Sequence, residues 1–408
     1  MKVAILGYGD RGSLYGDLFT QNGLEVSAVC DLSPLKLEAA KKKLGIEGKN
    51  CSSKEENFWK QGRIADLLVV STLDQHHYAH AIKAIELGYD ILLEKPIAST
   101  LEECKHIAAL AEEKGTKIYL CYVLRYAPFF MKMKEVLDSG KLGKLISINQ
   151  TEGVAYWHQA HSYVRGNWRN SKESSPMIIA KCSHDLDILR WFADAEPIAL
   201  SSMGSLSLFK EENAPEQAAK HCCDCPLGEE CAYNNFKWYK EYPWWIAKTG
   251  YYNGDWEDKE SIKQCLADKN NPYSRCVFHC DNDVVDHQVT NIEFKNGVTA
   301  HLTMTAFTHW CYRKTHVHCT YGDMYGNMED NKIILNIFGK GQEIIDLEET
   351  VGPAGHGGGD MFMIKQIVEA YKEGKLIEKN GLSEAMCSHY LGFAAEESRL
   401  DGGKKIEF

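Results

Sequence analysis

Three glycines near the start of the chain have the spacing of a dinucleotide-binding loop. Gly7, Gly9 and Gly12 follow a short apolar run and open a helical pattern. In a G-x-G-x-x-G loop the first glycine allows a tight turn, the second lets the backbone approach a pyrophosphate, and the third lets helix and strand pack closely. The pyrophosphate then lies against free amides at the start of the helix. The pattern predicts a dinucleotide site that includes Asp10 and Arg11.

Asp31 bears on which dinucleotide is bound. It lies at the end of the second predicted strand, 19 residues after Gly12. A carboxylate there accepts hydrogen bonds from ribose hydroxyls and repels a 2′-phosphate. Residues 32–34 bring no cation, so we expect NAD rather than NADP. The alternative is that Asp31 caps the next helix, a role that Ser33 and Pro34 could also fill.

A cysteine cluster in the middle of the chain has partial zinc-site spacing. Cys222 and Cys225 form a C-x-x-C pair, and Cys231 with Cys276 or Cys280 could complete four thiolate ligands. A structural zinc would stabilise a segment with little core of its own. The alternative is buried free thiols, since cysteine packs well as a small apolar residue.

The elements that must position these residues change in character along the chain. The first third alternates strand and helix patterns, which predicts a doubly wound parallel sheet with strands at 3–6, 26–30, 67–71, 91–93 and 118–122 and helices at 13–21, 77–87 and 101–114. From about residue 145 longer alternating runs appear, and Asn296-Gly297 between 289–294 and 298–305 predicts a β-hairpin. The fold class is therefore α/β. We expect a Rossmann domain over 1–122 and an α+β domain with a large, mostly antiparallel open sheet over 123–408, with a Cys- and aromatic-rich insertion at about 205–283.

The charge balance argues against several classes of partner. The net charge is -11 and no tract of Lys or Arg stands out, so neither nucleic acid nor an anionic membrane surface is expected. The N-terminal apolar run leads directly into glycines, and no run approaches the roughly 20 apolar residues of a membrane span. We expect a cytoplasmic protein whose 15 cysteines are thiols or metal ligands rather than disulfides.

Several further motifs resemble those of the Gfo/Idh/MocA family of sugar and polyol oxidoreductases. Residues 72–77 (TLDQHH) resemble the family's TPxxxH loop, and residues 94–96 match its EKP signature, the most specific of the set. Further similarities lie at 125–128 (RYAP), 168–169 (WR), 183–187 (SHDLD) and 356–360 (HGGGD). The resemblance covers the chain except for the Cys-rich insertion. It implies that the cofactor is also bordered by Ser71, Thr72, His77, Glu94 and Lys95.

The resemblance further implies that Lys95 and His184 are catalytic. Oxidising a secondary alcohol requires a base for the hydroxyl proton, and histidine takes a proton near neutral pH. A lysine can donate to the same oxygen as charge develops on it. The alternatives are a surface lysine and a histidine that caps a helix or lies in the core. Substrate contacts are implied for Arg125, Tyr156, His158, Trp168 and Arg169, although His158 could equally be an ordinary histidine.

The chain departs from the family pattern four residues before His184. The family has an aspartate there, whereas this chain has Ala180 followed by Lys181, and the family's GGG turn is replaced by residues 174–176 (SSP). Lys181 could reach the active site, where it and Lys95 would lower each other's pKa and create a neutral amine base, or bind an anionic sugar. Alternatively, it points to solvent or pairs with a carboxylate.

The insertion is rich in aromatic residues, which allow two interpretations. Aromatic rings at the rim of a cleft bind the faces of sugars, but they also pack a segment against itself. The residues concerned are Trp238, Tyr239, Trp244, Trp245, Tyr251, Tyr252 and Trp256.

These features favour an NAD-dependent dehydrogenase acting on a secondary hydroxyl of a sugar, glycoside or polyol. One alternative is a glycoside hydrolase that oxidises a ring hydroxyl transiently, eliminates the aglycone and returns the hydride, as some branches of the family do. Another is an NAD-bound regulator without catalysis. The resemblance also implies a homo-oligomer, either a dimer or a tetramer.

Overall fold

The computed structural model describes residues 1–46, 48–252, 254–255, 257–348, 356–373 and 381–408. Trp256, one of the aromatic residues considered above, lies outside these ranges. Within them, no helix combines the length and apolar character needed to cross a membrane.

Six parallel strands form the first sheet. They are β1 (Lys2–Leu6), β2 (Glu25–Cys30), β3 (Cys51–Ser52), β4 (Leu67–Val70), β5 (Asp90–Leu93) and β6 (Ile118–Leu120). Their spatial order is β3-β2-β1-β4-β5-β6, which confirms the predicted doubly wound sheet. The order reverses between β1 and β4, and in such sheets ligands bind at the carboxyl ends of the strands at this point.

Five helices connect these strands. They are α1 (Asp10–Gln21), α2 (Pro34–Leu44), α3 (Glu55–Trp59), α4 (Asp74–Glu86) and α5 (Leu101–Lys114). The bounds of α5 agree with the prediction, because Thr100 and Glu103 form a capping box and Gly115 ends the helix with a φ of 64°. Helices α1 and α4 begin earlier than predicted, since their first turns are polar and lack the apolar period.

The second sheet has nine strands and is mostly antiparallel, as predicted. They are β7 (Leu145–Gly153), β8 (Pro197–Ser205), β9 (His287–Phe294), β10 (Thr299–Thr305), β11 (Tyr312–Cys319), β12 (Gly322–Asn327), β13 (Lys332–Ile337), β14 (Gly341–Asp346) and β15 (Ile406–Glu407). The spatial order is β14-β13-β12-β11-β7-β10-β9-β8-β15, with β7 and β10 parallel. The predicted hairpin joins β9 and β10, and Gly297 adopts a φ of 83° in its turn.

The remaining described helices lie around the two sheets and in the insertion. They are α6 (Pro128–Asp138), α7 (Tyr156–His158), α8 (Met177–Ala180), α9 (Ser183–Ala193), α10 (Asn235–Glu241), α11 (Trp244–Lys248), α12 (Lys259–Ala267), α13 (Gly359–Glu373) and α14 (Leu382–Leu400). The insertion lies between β8 and β9, which are direct neighbours in the sheet. It has a small core of its own, formed by Tyr239, Ile246, Tyr252, Ile262, Leu266 and Tyr273.

The two C-terminal helices pack against the first sheet. Met363 and Ile367 of α13 share a buried cluster with Val3 and Ile5 of β1 on one face. On the other face, Met386 of α14 joins the cluster that contains α5. Leu391 and Ala394 of α14 also belong to the core of the second sheet, so the segment after residue 358 packs on both sheets. The domain boundary at residue 122 stays a prediction.

Candidate active site

The glycine loop leaves open space where a pyrophosphate would approach. Gly7 has a φ of 89°, and a Cβ there would lie 2.6 Å from the carbonyl oxygen of Ser71. A Cβ on Gly12 would lie 2.0 Å from the carbonyl oxygen of Gly7. Beyond its chain neighbours, a Cβ on Gly9 would meet one group within 4 Å, the Lys36 ammonium at 3.7 Å. Because α1 begins directly after Gly9, its free amides face this space, and the loop fits a dinucleotide.

Asp31 is fixed beside the glycine loop. Its carboxylate accepts hydrogen bonds from the backbone amides of Tyr8 at 2.7 Å and Ser33 at 2.8 Å. Lys36, in the first turn of α2, brings a cation to Gly9 that the sequence analysis missed by stopping at residue 34. The cofactor loop therefore has both the Asp31 carboxylate and the Lys36 ammonium beside it.

Arg11 and Glu94 bind each other at the floor of the cleft. Arg11 Nε donates to Glu94 Oε1 at 2.7 Å, and the Tyr15 hydroxyl donates to the same oxygen at 2.6 Å. The Arg11 guanidinium also pairs with Asp360 of α13. Burial raises the pKa of Glu94, but the Arg11 charge and the hydrogen bond from Tyr15 lower it more, so the carboxylate stays ionised. Arg11 and Glu94, both predicted to bind the cofactor, thus have protein partners. Asp10, the third such residue here, pairs with Lys248 at 3.0 Å.

The loops after β4 and β5 are joined by His77. Its ring is buried, with Nδ1 2.6 Å from the carbonyl oxygen of Pro96 and Nε2 3.0 Å from that of Thr72. The Ser71 hydroxyl donates to the carbonyl oxygen of Gly7 at 2.7 Å. Among these predicted cofactor residues, His77 therefore contacts the backbone of both loops.

Lys95 is held by the backbone of Ala180, the residue at which the sequence departs from the expected motif. Its Nζ donates to the carbonyl oxygen of Ala180 at 2.5 Å. Burial lowers the pKa of Lys95, and the Lys181 ammonium adds to the shift. Together they outweigh the carboxylates of Glu94 and Asp74. The backbone thus supplies an acceptor for Lys95 where this chain lacks a carboxylate side chain.

His184 lies in the first turn of α9 and is buried. Its ring centroid lies 5.9 Å from that of Tyr122 and 5.5 Å from that of His356. Within the described ranges, its Nδ1 has no hydrogen-bond partner. Burial lowers the pKa of His184 well below its ordinary value, and the Lys95 charge lowers it further. The imidazole is therefore neutral at neutral pH and able to accept a proton.

Lys181 lies in the main cavity and pairs with a carboxylate. Its Nζ is 3.2 Å from Glu152 Oε1. Burial lowers the pKa of Lys181, but Glu152 and Tyr163 raise it more, so it lies above its ordinary value. Lys181 therefore both lines the cavity and pairs with a carboxylate, which the sequence analysis had treated as alternatives. The expected mutual lowering of pKa affects Lys95 alone, because the Glu152 carboxylate keeps Lys181 protonated.

A cavity of about 620 Å³ runs from the glycine loop to the second sheet. Its wall includes Lys181, Trp157, His158 and His356 of the HGGGD motif. It also includes residues that the sequence analysis did not select, among them Glu152, Arg313, Lys248 and Glu329. Arg313 Nε lies 2.9 Å from Glu152 and 3.1 Å from Asp185, all three being buried. Burial and the Lys181 charge hold the pKa of His158 well below its ordinary value. The cavity thus combines cations, carboxylates and neutral histidines.

Four residues predicted to contact substrate have other partners. Arg125 is buried and pairs through two nitrogens with Asp187 at 2.7 Å. Trp168 Nε1 donates to Asp74 at 2.9 Å, and Arg169 pairs with Asp281 at 2.8 Å. Tyr156 lines a separate small cavity beside the insertion rather than the main one. These side chains support the walls around the site.

The predicted structural zinc is not supported. Cys222, Cys225, Cys231 and Cys276 line one small apolar cavity, as the spacing suggested. However, among the described residues no three His, Cys, Asp or Glu side chains are arranged to hold a metal ion. These cysteines are free thiols, and the insertion has the aromatic and aliphatic core described above.

Two family models together match most of the chain. Residues 1–122 match the model described as "Oxidoreductase family, NAD-binding Rossmann fold", and residues 134–350 match "Oxidoreductase family, C-terminal alpha/beta domain". The chain belongs to the Gfo/Idh/MocA oxidoreductase family. It is an NAD-binding oxidoreductase, and the resemblance carried by its EKP and SHDLD motifs is confirmed.

Relatives of known name share low identity with this Gfo/Idh/MocA member. The Bacillus subtilis protein YteT, which carries the name of an oxidoreductase, is 22% identical over 367 residues, covering 84% of this chain and 82% of that protein. Inositol 2-dehydrogenase 2 of Saccharopolyspora erythraea is 26% identical, but the match spans only 50% of this chain and 56% of that enzyme. A levoglucosan dehydrogenase in complex with NADH and levoglucosan has the same fold, with a TM-score of 0.72, 17% identity and coverage of 100% and 99% of the two chains.

Two glycine substitutions should separate cofactor binding from folding. Gly9→Ala should leave the melting temperature unchanged, because the φ of -78° suits any residue and its Cβ would meet little. It should weaken NADH binding at least about tenfold, since the methyl group enters the space for the pyrophosphate. Gly12→Ala should lower stability by about 1–3 kcal/mol through overpacking and also lose binding. Thermal unfolding and NADH fluorescence measure both, and wild-type NADH affinity in Gly9→Ala would contradict this site.

Proposed function

We propose that this protein oxidises a secondary hydroxyl of a sugar, glycoside or polyol with NAD as hydride acceptor. One observation carries the proposal: the buried His184 ring lies 5.5 Å from the ring of His356, which lines the cavity that opens at the glycine loop. Burial and the charge of Lys95 lower the pKa of His184, so its imidazole is neutral. The bound dinucleotide would supply the acceptor for the hydride. A small cyclic or acyclic carbohydrate matches the size of the cavity, which lies in the ordinary range for ligand sites.

Lys95 and His184 have different roles in proton transfer. Lys95, held by the carbonyl of Ala180, donates from Nζ to the substrate oxygen and stabilises it as its proton leaves. His184 accepts that proton, because its neutral form predominates at working pH. Lys181, Glu152 and Arg313 offer donors and acceptors for the remaining hydroxyls.

Two relatives support a cyclic polyol or sugar substrate. The Saccharopolyspora relative is named for inositol oxidation, and the structural neighbour holds levoglucosan. The choice of NAD over NADP is likewise a proposal, which rests on Asp31 despite the nearby Lys36. The expected dimer or tetramer stays a prediction.

A glycoside hydrolase is a second candidate, favoured by two further histidines. His158 and His356 line the cavity, and His356 Nδ1 lies 2.9 Å from the buried carboxylate of Asp360. Simple oxidation needs one base. Hydrolysis by transient oxidation also needs a base to remove the proton on the carbon next to the new carbonyl and an acid to protonate the departing aglycone, before water adds and the hydride returns.

Net NADH formation decides between these two candidates. With NAD⁺ and a panel of aldoses, inositols and aryl glycosides, we expect NADH absorbance to rise with turnover, and NADP⁺ to serve less well. Release of the aryl group without net NADH would establish the hydrolase instead. If the protein binds NADH but turns over none of these compounds, the NAD-bound regulator without catalysis becomes the better description.

The pH profile should reveal His184 and Lys95. Activity requires neutral His184. The pKa of His184 is lowered from the ordinary histidine value of 6.5, so kcat/KM should decrease on acidification only at a pH below 6.5. Lys95 must keep its proton, so the alkaline limb should lie below pH 10.5. His184→Gln should reduce kcat roughly 10²–10⁴-fold and remove the acid limb. His106→Gln, at an exposed position, serves as the control, and an unchanged profile in His184→Gln would exclude His184 as the base.

Lys181→Ala tests whether the second lysine contacts substrate. Loss of a charged hydrogen bond in the cavity should raise KM by roughly tenfold to a hundredfold. NADH affinity should not change, since Lys181 lies toward the second sheet and pairs with Glu152. Lys132→Ala removes a lysine from an exposed pair with Glu135 and is the matched control. Unchanged turnover and affinity in Lys181→Ala would mean that this ammonium serves only the fold.

A further inference from the structure

The insertion contributes part of the wall of the catalytic cavity. Trp245 of α11 lines this cavity together with Trp157, which comes from the second sheet's own connection after β7. The two rings meet edge to face, with centroids 5.3 Å apart and an interplanar angle of 68°. They form an aromatic corner, the name used below for Trp157 and Trp245 together.

Other rings pack against the aromatic corner and fix its position. Trp157 stacks on Trp238 at 4.1 Å, and Trp238 stacks in turn on Tyr242 at 4.2 Å. Trp245 packs against the buried ring of His161 at 5.0 Å. Rings fixed in this way lose little conformational entropy when a ligand packs on them.

The aromatic corner is tied to the catalytic and cofactor groups. His158 lies 5.4 Å from Trp245, and both residues line the same cavity as Lys181. On the other side, Lys248 lies over the Trp245 ring at 5.1 Å and pairs with Asp10 at the start of α1. The insertion therefore reaches from the substrate wall to the dinucleotide loop.

We infer that the aromatic corner selects a cyclic carbohydrate, a pyranose or cyclitol, by packing against the C–H face of its ring. This inference rests on the proposed function and narrows its substrate class. Aliphatic C–H groups carry partial positive charge and are attracted to the negative face of an indole. The hydroxyls at the ring's edge then meet Lys181, Glu152 and Arg313. An acyclic polyol presents no such face and loses more freedom on binding, so it binds less well.

Trp245→Ala and Trp244→Ala form a matched pair of tests. Trp244 is the preceding residue of α11, is 42% exposed and does not line the cavity. With a methyl hexopyranoside and myo-inositol as cyclic probes and a hexitol as acyclic probe, Trp245→Ala should raise KM for the cyclic probes about tenfold. Trp245→Phe should restore part of this loss, and Trp244→Ala should match wild type. NADH affinity should stay constant, which distinguishes the effect from misfolding.

Calorimetric titration of the NADH-saturated protein keeps this inference separate from the proposed function. Cyclic probes that bind in a Trp245-dependent way without turnover would support the aromatic corner and overturn the dehydrogenase. Turnover with equal KM in the two alanine variants, or a preference for the hexitol, would overturn the aromatic corner and leave the dehydrogenase standing. Neither binding nor turnover of any probe would overturn both.

Discussion

The structure depends on one charged contact, the guanidinium of Arg11 between Glu94 and Asp360. It joins the first turn of α1, the loop after β5 and the start of α13. Both carboxylates are buried, so removing the cation would leave two uncompensated charges, and breaking one such pair typically costs about 3–5 kcal/mol. Lys95 follows Glu94 in the chain, and His356 is bonded to Asp360. The cofactor loop and two candidate acid–base groups are therefore positioned by the same contact.

A second contact joins the loop after β5 to helix α8. The hydrogen bond from Lys95 to the carbonyl of Ala180 sets the lysine against the turn that leads into His184. An aspartate side chain at position 180 could rotate and change its protonation state, whereas a backbone carbonyl does neither. The carbonyl of Ala180 is thus an acceptor for Lys95 that keeps one position and one charge state.

The sequence predicted the features that depend on local backbone geometry. The glycine loop, the hairpin at Asn296-Gly297 and the end of α5 at Gly115 follow from residues close together in the chain. The wall of the cavity could not be predicted, because Glu152 and Arg313 become neighbours only through the register of β7 with β11. The partners of Arg125 and Arg169 could not be predicted either, because a motif match gives a residue's position in the fold but not the group that its side chain contacts.

The insertion enters and leaves at adjacent, hydrogen-bonded strands, which makes it in topological terms an enlarged turn between β8 and β9. Lengthening such a turn changes no register in the sheet, and the entropic cost of closing it grows only with the logarithm of its length. The part of the cavity wall that the insertion supplies can therefore change by mutation while Lys95 and His184 stay in place. Divergence of substrate preference in this lineage would then be concentrated in one exchangeable segment, separate from the inherited chemistry.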